Sequence, residues 1–415
     1  MIDRFDRSII AMLGGLMMIM TGVLTQDEAV RGIDFNTLGL LTGMMVLVSI
    51  ARRSGIFEYL AIRSVQLVRG SPAGLLCALA AVTALMSALL DNVTTVMLVA
   101  PVTLSIARRL HVPPYPFLLA EVMASNIGGT ATLIGDPPNM LIGTAADLSF
   151  NDFLDHQTPV IAVVMVVQLL ATHFLWGRHL AASAAARAEM IAIEAISSIQ
   201  DWRLLVQATT VFALVLVGFI TAHLTGLEAA TVALSGAILL LLIENLTHHR
   251  DQQSINVGAT YGEIDWITVF FFIGLFIVVH GVQSTGMLDR LAQDIVDATR
   301  GRLGLTVAVV LWSSAIISAV VDNIPFVAAM IPLIKAMAPA LGGDAAILPL
   351  WVALSLGACL GGNGTLIGAS ANLTVAGIAQ REGIGFGFVT YIRHALPLTA
   401  VSIAVCQVYL AIRYF

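Results

Sequence analysis

Two aspartates, Asp91 and Asp322, stand 231 positions apart in otherwise apolar segments, each followed by an asparagine. A carboxylate at membrane depth costs about 2.5–3.5 kcal/mol on insertion scales, so such a residue needs a partner or a task. Two chemistries answer that need. In the first, each aspartate is a proton or cation site, with Asn92, Thr94 and Thr95 beside Asp91 and Asn323 beside Asp322 as neutral ligands. In the second, Asp-Asn caps the following helix by accepting its free amides. Duplication favours the first role, and the two are compatible.

A longer duplication follows. Residues 128–139 read GGTATLIGDPPN and residues 361–372 read GGNGTLIGASAN, seven identities in twelve positions. Gly128, Gly129 and Gly135, with Gly361, Gly362 and Gly368, permit unwound backbone, and Pro137 and Pro138 stop the helical hydrogen-bond ladder. Thr130, Thr132 and Asn139 offer polar groups in the first copy; Asn363, Thr365, Ser370 and Asn372 do so in the second. Asp136 adds a third carboxylate, matched in the second copy by Ala369. Unwound backbone at membrane depth is tolerated only against protein or a water-filled cavity, and paired interruptions of this kind point to a transporter site between repeats.

Several functions are disfavoured. No GxxxxGK[ST] loop is present, so energy must come from an ion gradient or a separate subunit. Neither a nucleophile–base pair nor a metal-ligand cluster stands out, which argues against an enzyme, a metal site or a cofactor. No basic run offers itself to nucleic acid. Cys77, Cys359 and Cys406 lie far apart, and Cys359 reads as a small buried apolar residue before a thiophilic ligand. In sequence no Lys or Arg adjoins the hairpin tips or glycine motifs, the nearest being Lys335 and Arg108-Arg109. A multivalent anion would lack a countercharge there, whereas a neutral polyhydroxyl solute or a small cation would not need one.

The elements that must position these residues are membrane helices. The 415 residues are 58% hydrophobic and 11% charged, and the predicted fold class is an all-α polytopic membrane protein. Apolar runs long enough to span fall at 8–25, 36–51, 157–176, 204–222, 227–245, 265–282 and 390–412. The acidic residues that follow the first run argue that it is a retained span rather than a cleaved leader. Segments 72–109 and 304–340, with Asp-Asn at their centres, predict re-entrant hairpins, while 115–145 and 346–378 predict discontinuous helices. Segments 56–69 and 287–302 read as amphipathic, and 177–203 as a helical connection followed later by a shorter polar one at 246–263.

Ile33-Asp34 recurs as Ile264-Asp265 and Ser54-Gly55 as Thr285-Gly286, so the order of parts repeats: a first repeat over 1–176, a connection and additional span over 177–226, a second repeat over 227–415. With the N-terminus cytoplasmic, 14 of the 20 Lys+Arg fall on the cytoplasmic side, among them Arg4, Arg7, Arg52, Arg108, Arg109, Arg187, Arg250 and Arg381. The single odd span then inverts the second repeat and places the C-terminus outside.

Residues 126–139, NIGGTATLIGDPPN, carry a resemblance to the ArsB/NhaD branch of the ion transporter superfamily: arsenite permeases, NhaD-type sodium/proton antiporters and the melanosomal P protein. The resemblance covers essentially the whole chain and is specific for family more than for substrate. It implies a scaffold part and a transport part, with substrate held between hairpin tips and helix breaks, and it adds Asn126 to the substrate-binding candidates. Related dicarboxylate transporters carry Ser-Asn-Thr at the tips, where this chain has Asp91-Asn92-Val93-Thr94 and Asp322-Asn323-Ile324-Pro325. The expectation is an inner-membrane permease expelling neutral arsenite or antimonite in exchange for protons, with Asp91, Asp136 and Asp322 as the protonatable set. Sodium/proton antiport, organic-anion transport and a channel-like subunit of an ATP-driven pump are the alternatives. The lipid bilayer is the certain partner; a soluble ATPase subunit and a homodimer stay open.

Overall fold

The structure, a computed structural model, describes residues 6–246 and 250–415. Arg4, the side chain of Arg250 and residues 247–249 of the polar connection lie outside the described part. Every regular element among the described residues is helical. Among the described residues seven helices are long and apolar enough to cross a membrane, or eight if the bent pair Met287–Ala298 and Leu303–Ser318 is one span.

Helices Phe35–Arg52, Thr158–Leu175, Trp202–Ile220, Trp266–Ser284 and Phe388–Tyr414 fall on expected runs. Two runs yield shorter helices. The run over 8–25 forms only Arg7–Met20, because Gly22 turns into the left-handed region at φ 76° and Thr25 starts a new helix, Gln26–Arg31, with a capping box. The run over 227–245 forms Ala229–Asn245, of 17 residues. The amphipathic segments form Ile56–Leu67 and Met287–Ala298, each entered through a glycine with positive φ, Gly55 and Gly286. Helix in the 177–203 connection is less than its alanine content predicts: ahead of Trp202–Ile220 only Ala184–Ile191 is α-helical. The chain beyond Ile191 is instead tied to Ile56–Leu67 and the turn ahead of it: Gln66 Nε2 donates to the Ile193 carbonyl, and the Gln200 amide donates to that of Ser54.

The repeats are inverted. Phe35–Arg52 and its equivalent Trp266–Ser284 start from the same cap: Asp34 accepts from the Thr37 amide and hydroxyl, and Asp265 from those of Thr268. Yet they run antiparallel. The Ser49 hydroxyl near the end of the first meets Glu263 just ahead of the second at 2.5 Å, while Gly32 just ahead of the first lies against His280 near the end of the second. Each takes a helix from the other repeat as neighbour. Gly39 and Gly43 bring Phe35–Arg52 against Ala230 and Ala233, and Gly15 and Gly274 bring Arg7–Met20 against Trp266–Ser284.

The first hairpin comprises Pro72–Leu89 and Asn92–Arg109, the second Leu303–Ser318 and Asn323–Met337. Their bases lie at opposite ends. At the first, Arg187 donates to the Arg69 carbonyl; at the second, Lys335 shares a cavity wall with Asp34 and His280. Each tip is clasped to a broken helix, Tyr115–Thr130 with Pro137–Ala146 or Leu348–Gly361 with Ser370–Arg381. The clasp is the same twice. Ser87 Oγ donates to the Ser125 carbonyl and Ser318 Oγ to that of Ala358, both at 2.6 Å; Thr132 Oγ1 donates to Ala88 and Thr365 Oγ1 to Ala319. Gly128 and Gly361 admit the hairpin backbone at Ala84 and Ala315, a spacing no side chain allows.

Candidate functional site

Both tips and the first break meet at a cavity of about 300 Å³. Of the residues singled out in the sequence, Asp91, Asn92, Thr94, Asp136, Pro137, Asn323 and Ser370 line it. The two tip aspartates act as caps: Asp91 accepts from the Thr94 amide at 2.8 Å and Asp322 from that of Ile324 at 3.1 Å. Capping occupies Oδ1 of each; Oδ2 of Asp322 accepts instead from Arg7 and Ser370.

The remaining candidates are placed behind the wall, bonded to one another. Asn92 Nδ2 donates to Asn126 Oδ1 at 3.0 Å, and Asn126 Nδ2 donates in turn to Asn363 and Asn372 at 2.8 and 2.9 Å. The amide of Asn139 donates to the carbonyls of Gly129, Thr130 and Thr132, and that of Asn372 to Gly362 and Thr365. These two asparagines close the breaks by satisfying carbonyls that the interrupted ladder leaves free. Thr95 and Thr130 hydroxyls donate back to carbonyls four residues earlier, Asp91 and Asn126. Gly129 and Gly135 pack backbone to backbone within the first break, as Gly362 and Gly368 do within the second; Pro138 is buried behind Pro137.

Asp136 differs from the other carboxylates. It stands ahead of Pro137–Ala146 without capping it, is 1% exposed, and has Asn323 Nδ2 at 3.5 Å across the repeat boundary. Pro138 removes the amide at the second helical position, and that of Asn139 donates to the Asp136 carbonyl at 2.9 Å. Cys359, at the position equivalent to Asn126, is fully buried and directs its thiol to Asn139 Oδ1 at 3.5 Å. Ser355 donates to that same oxygen at 2.6 Å.

Proximity in sequence misjudged the charge of the site. Arg7, at the start of the short first helix, donates to Asp322 at 3.1 Å, to Ser370 at 2.6 Å and to Thr268 at 3.1 Å, and its guanidinium lies over the Phe271 ring. A cation therefore does stand at a hairpin tip. It was hidden because 315 residues separate it from Asp322. Arg52 also lines the cavity and pairs with Glu263 at 2.8 Å. Asp265, recognised in the sequence only as a repeat marker, and Glu263 are wall residues too. Glu121 belongs to neither duplicated motif: 1% exposed, it accepts from the Thr103 hydroxyl through Oε1, and Oε2 has no partner among the described residues. A lone acid inside the apolar stretch 117–127 was the available signal.

A family model described as citrate transporter, CitMHS, matches residues 1–357. The chain belongs to the CitMHS family. Among relatives of this CitMHS member, an uncharacterized transporter of Mycobacterium tuberculosis is 40% identical over 417 residues, covering 100% of this chain and 95% of its own. The P protein of Sus scrofa is 33% identical over 490 residues, covering 98% of this chain and 57% of that one. The crystal structure of the Alcanivorax borkumensis YdaH transporter, described as revealing an unusual topology, superposes with a TM-score of 0.68 at 16% identity over 98% of each chain. That likeness supports the fold. Family and relatives together make this CitMHS chain a multi-pass membrane transporter.

Proposed function

We propose that this CitMHS member is a proton-coupled secondary transporter that expels neutral arsenite and antimonite across the inner membrane. The supporting observation is the charge balance of the cavity. Its wall carries Asp91, Asp136, Glu263 and Asp265, while its two guanidiniums, Arg7 and Arg52, are already paired with Asp322 and Glu263. An entering multivalent anion would meet four carboxyl groups and find each guanidinium engaged, whereas a trihydroxide needs only donors and acceptors such as Asn92, Thr94 and Asn323. Asp136 with Asn323 is the coupling site in this reading, with Asp91 and Asp322 as further protonatable groups. Repeats over 1–176 and 227–415 rock against each other, with the N-terminus cytoplasmic and the C-terminus outside.

A second reading has its own support. Arg7 and the family's description both suit an organic anion, which would bind if substrate displaced Asp322 from the guanidinium.

Uptake into everted vesicles of labelled arsenite, citrate and sodium, each with and without an imposed proton gradient, separates the readings. Gradient-driven arsenite flux without citrate flux is expected. Citrate flux alone moves the protein to the second reading, and sodium-stimulated proton flux alone makes it an antiporter. Flux that requires ATP in proteoliposomes would instead indicate an ATPase partner. A reporter fused after Phe415 is expected to read the extracytoplasmic side; a cytoplasmic signal overturns the orientation.

A further inference from the structure

A second cavity, of about 540 Å³, opens between the second arm of the first hairpin and the second half of the second broken helix. Three arginines converge on it from these two elements: Arg108 and Arg109 from one, Arg381 from the other. Glu382 is the one acid in its wall and pairs with Arg108; Arg109 reaches Glu189 at 3.8 Å, and no ion pair is formed by Arg381 among the described residues. The inner wall is apolar, with Met97, Leu104 and Ile378. Met97 also lines the central cavity, so the two spaces adjoin.

Arginines at a helix end are often solvated topology signals, and exposed pairs such as Arg108–Glu382 contribute little to stability. Solvation alone does not account for three arginines from two elements lining one concavity with an apolar interior. Guanidinium forks match the paired oxygens of a phosphate, and apolar surface inward of a cationic rim matches an amphiphile whose head stays at the interface. We propose that this cavity binds a phosphate-bearing anion at the arginine-rich end of the molecule, with the headgroup of an anionic phospholipid as its source. The inference does not depend on the transported substrate.

Native mass spectrometry of the purified full-length protein tests it, with phosphatidylglycerol, phosphatidylcholine and inorganic phosphate as separate probes. Retention of phosphatidylglycerol but not phosphatidylcholine is expected, reduced about fivefold or more in the triple variant Arg108→Gln, Arg109→Gln, Arg381→Gln. Glu382→Gln frees Arg108 and is expected to raise retention, which keeps the test decisive if the triple variant fails to fold. Arg63→Gln with Arg203→Gln, neither of which lines the cavity, controls for bulk charge and should change nothing. Inorganic phosphate bound in an arginine-dependent way without lipid retention would support the anion site and reassign its source. Equal retention of both lipids, or retention unaltered by both the triple variant and Glu382→Gln, overturns the proposal.

Discussion

The two hairpin tips share one backbone design and differ in chemistry. At the first, Asn92 bonds Asn126, and a chain of amides continues into the second break at Asn363 and Asn372. At the second, Cys359 and Ala369 stand where the first repeat has Asn126 and Asp136, and the tip instead faces Arg7 through Asp322 and Asp136 through Asn323. Repetition maintains the clasp of hairpin to break, and divergence gives the second tip two charged neighbours, Arg7 and Asp136. Asp136 belongs to the first repeat by sequence but serves the second tip by position.

The comparison breaks most completely at the clasps. A Cβ at residue 128 would stand 2.0 Å from the Ala84 carbonyl oxygen, and one at residue 361 would stand 2.5 Å from Ala315. Gly128→Ala and Gly361→Ala are each expected to cost about 1–3 kcal/mol or more, because the obstacle is backbone rather than a yielding side chain. Thermal melts followed by size-exclusion chromatography check this. Wild-type melting of either variant would show that the clasp can yield.

Next in size is the charge asymmetry. Asp136→Asn preserves shape and removes the titrating group, so gradient-driven flux in proteoliposomes is expected to fall at least about tenfold while folded yield persists. Adding Ala369→Asp, which restores a carboxylate at the equivalent position, is expected to leave flux low, since Ala369 does not line the cavity. Recovery by that double variant would make the repeats interchangeable.

The Arg7–Asp322 pair sharpens the same contrast at smaller amplitude. Arg7→Gln and Asp322→Asn are each expected to reduce flux several-fold, and the double variant to fall no further than the worse single, as groups acting through one contact are non-additive. Fully additive losses in transport assays would separate their roles. Smallest of all is Glu121→Gln, which can still bond Thr103 and is expected to keep flux within about threefold of wild type. A tenfold loss would add a titrating site, away from the central cavity, that the second repeat lacks, since Leu354 stands at the equivalent position.

Much of this arrangement was legible in the chain. Glycine, proline and Asp-Asn have strong local preferences, so the breaks at 131–136 and 362–369 and the tips at 90–91 and 319–322 could be read from residue type alone. Hydropathy was less decisive. Pro72–Leu89 and Asn323–Leu341 pass as full spans by length and composition, and only contacts of their tips with the breaks make them arms of hairpins.

Duplication in the sequence determined that the molecule has two related halves, because the same local caps and breaks must form wherever the same residues recur. Tertiary structure alone decided which polar groups face the cavity and which face each other. Asn126, Asn139 and Asn372 look like ligands in a linear motif, yet in the fold their amides are consumed by other asparagines and by carbonyls of the breaks. Arg7 shows the converse: nothing in its neighbourhood of sequence marks it, and a parallel helix pair carries it to a tip 315 residues away. Local preference is written residue by residue, whereas the field at a buried site is a sum over everything the fold brings within a few ångströms.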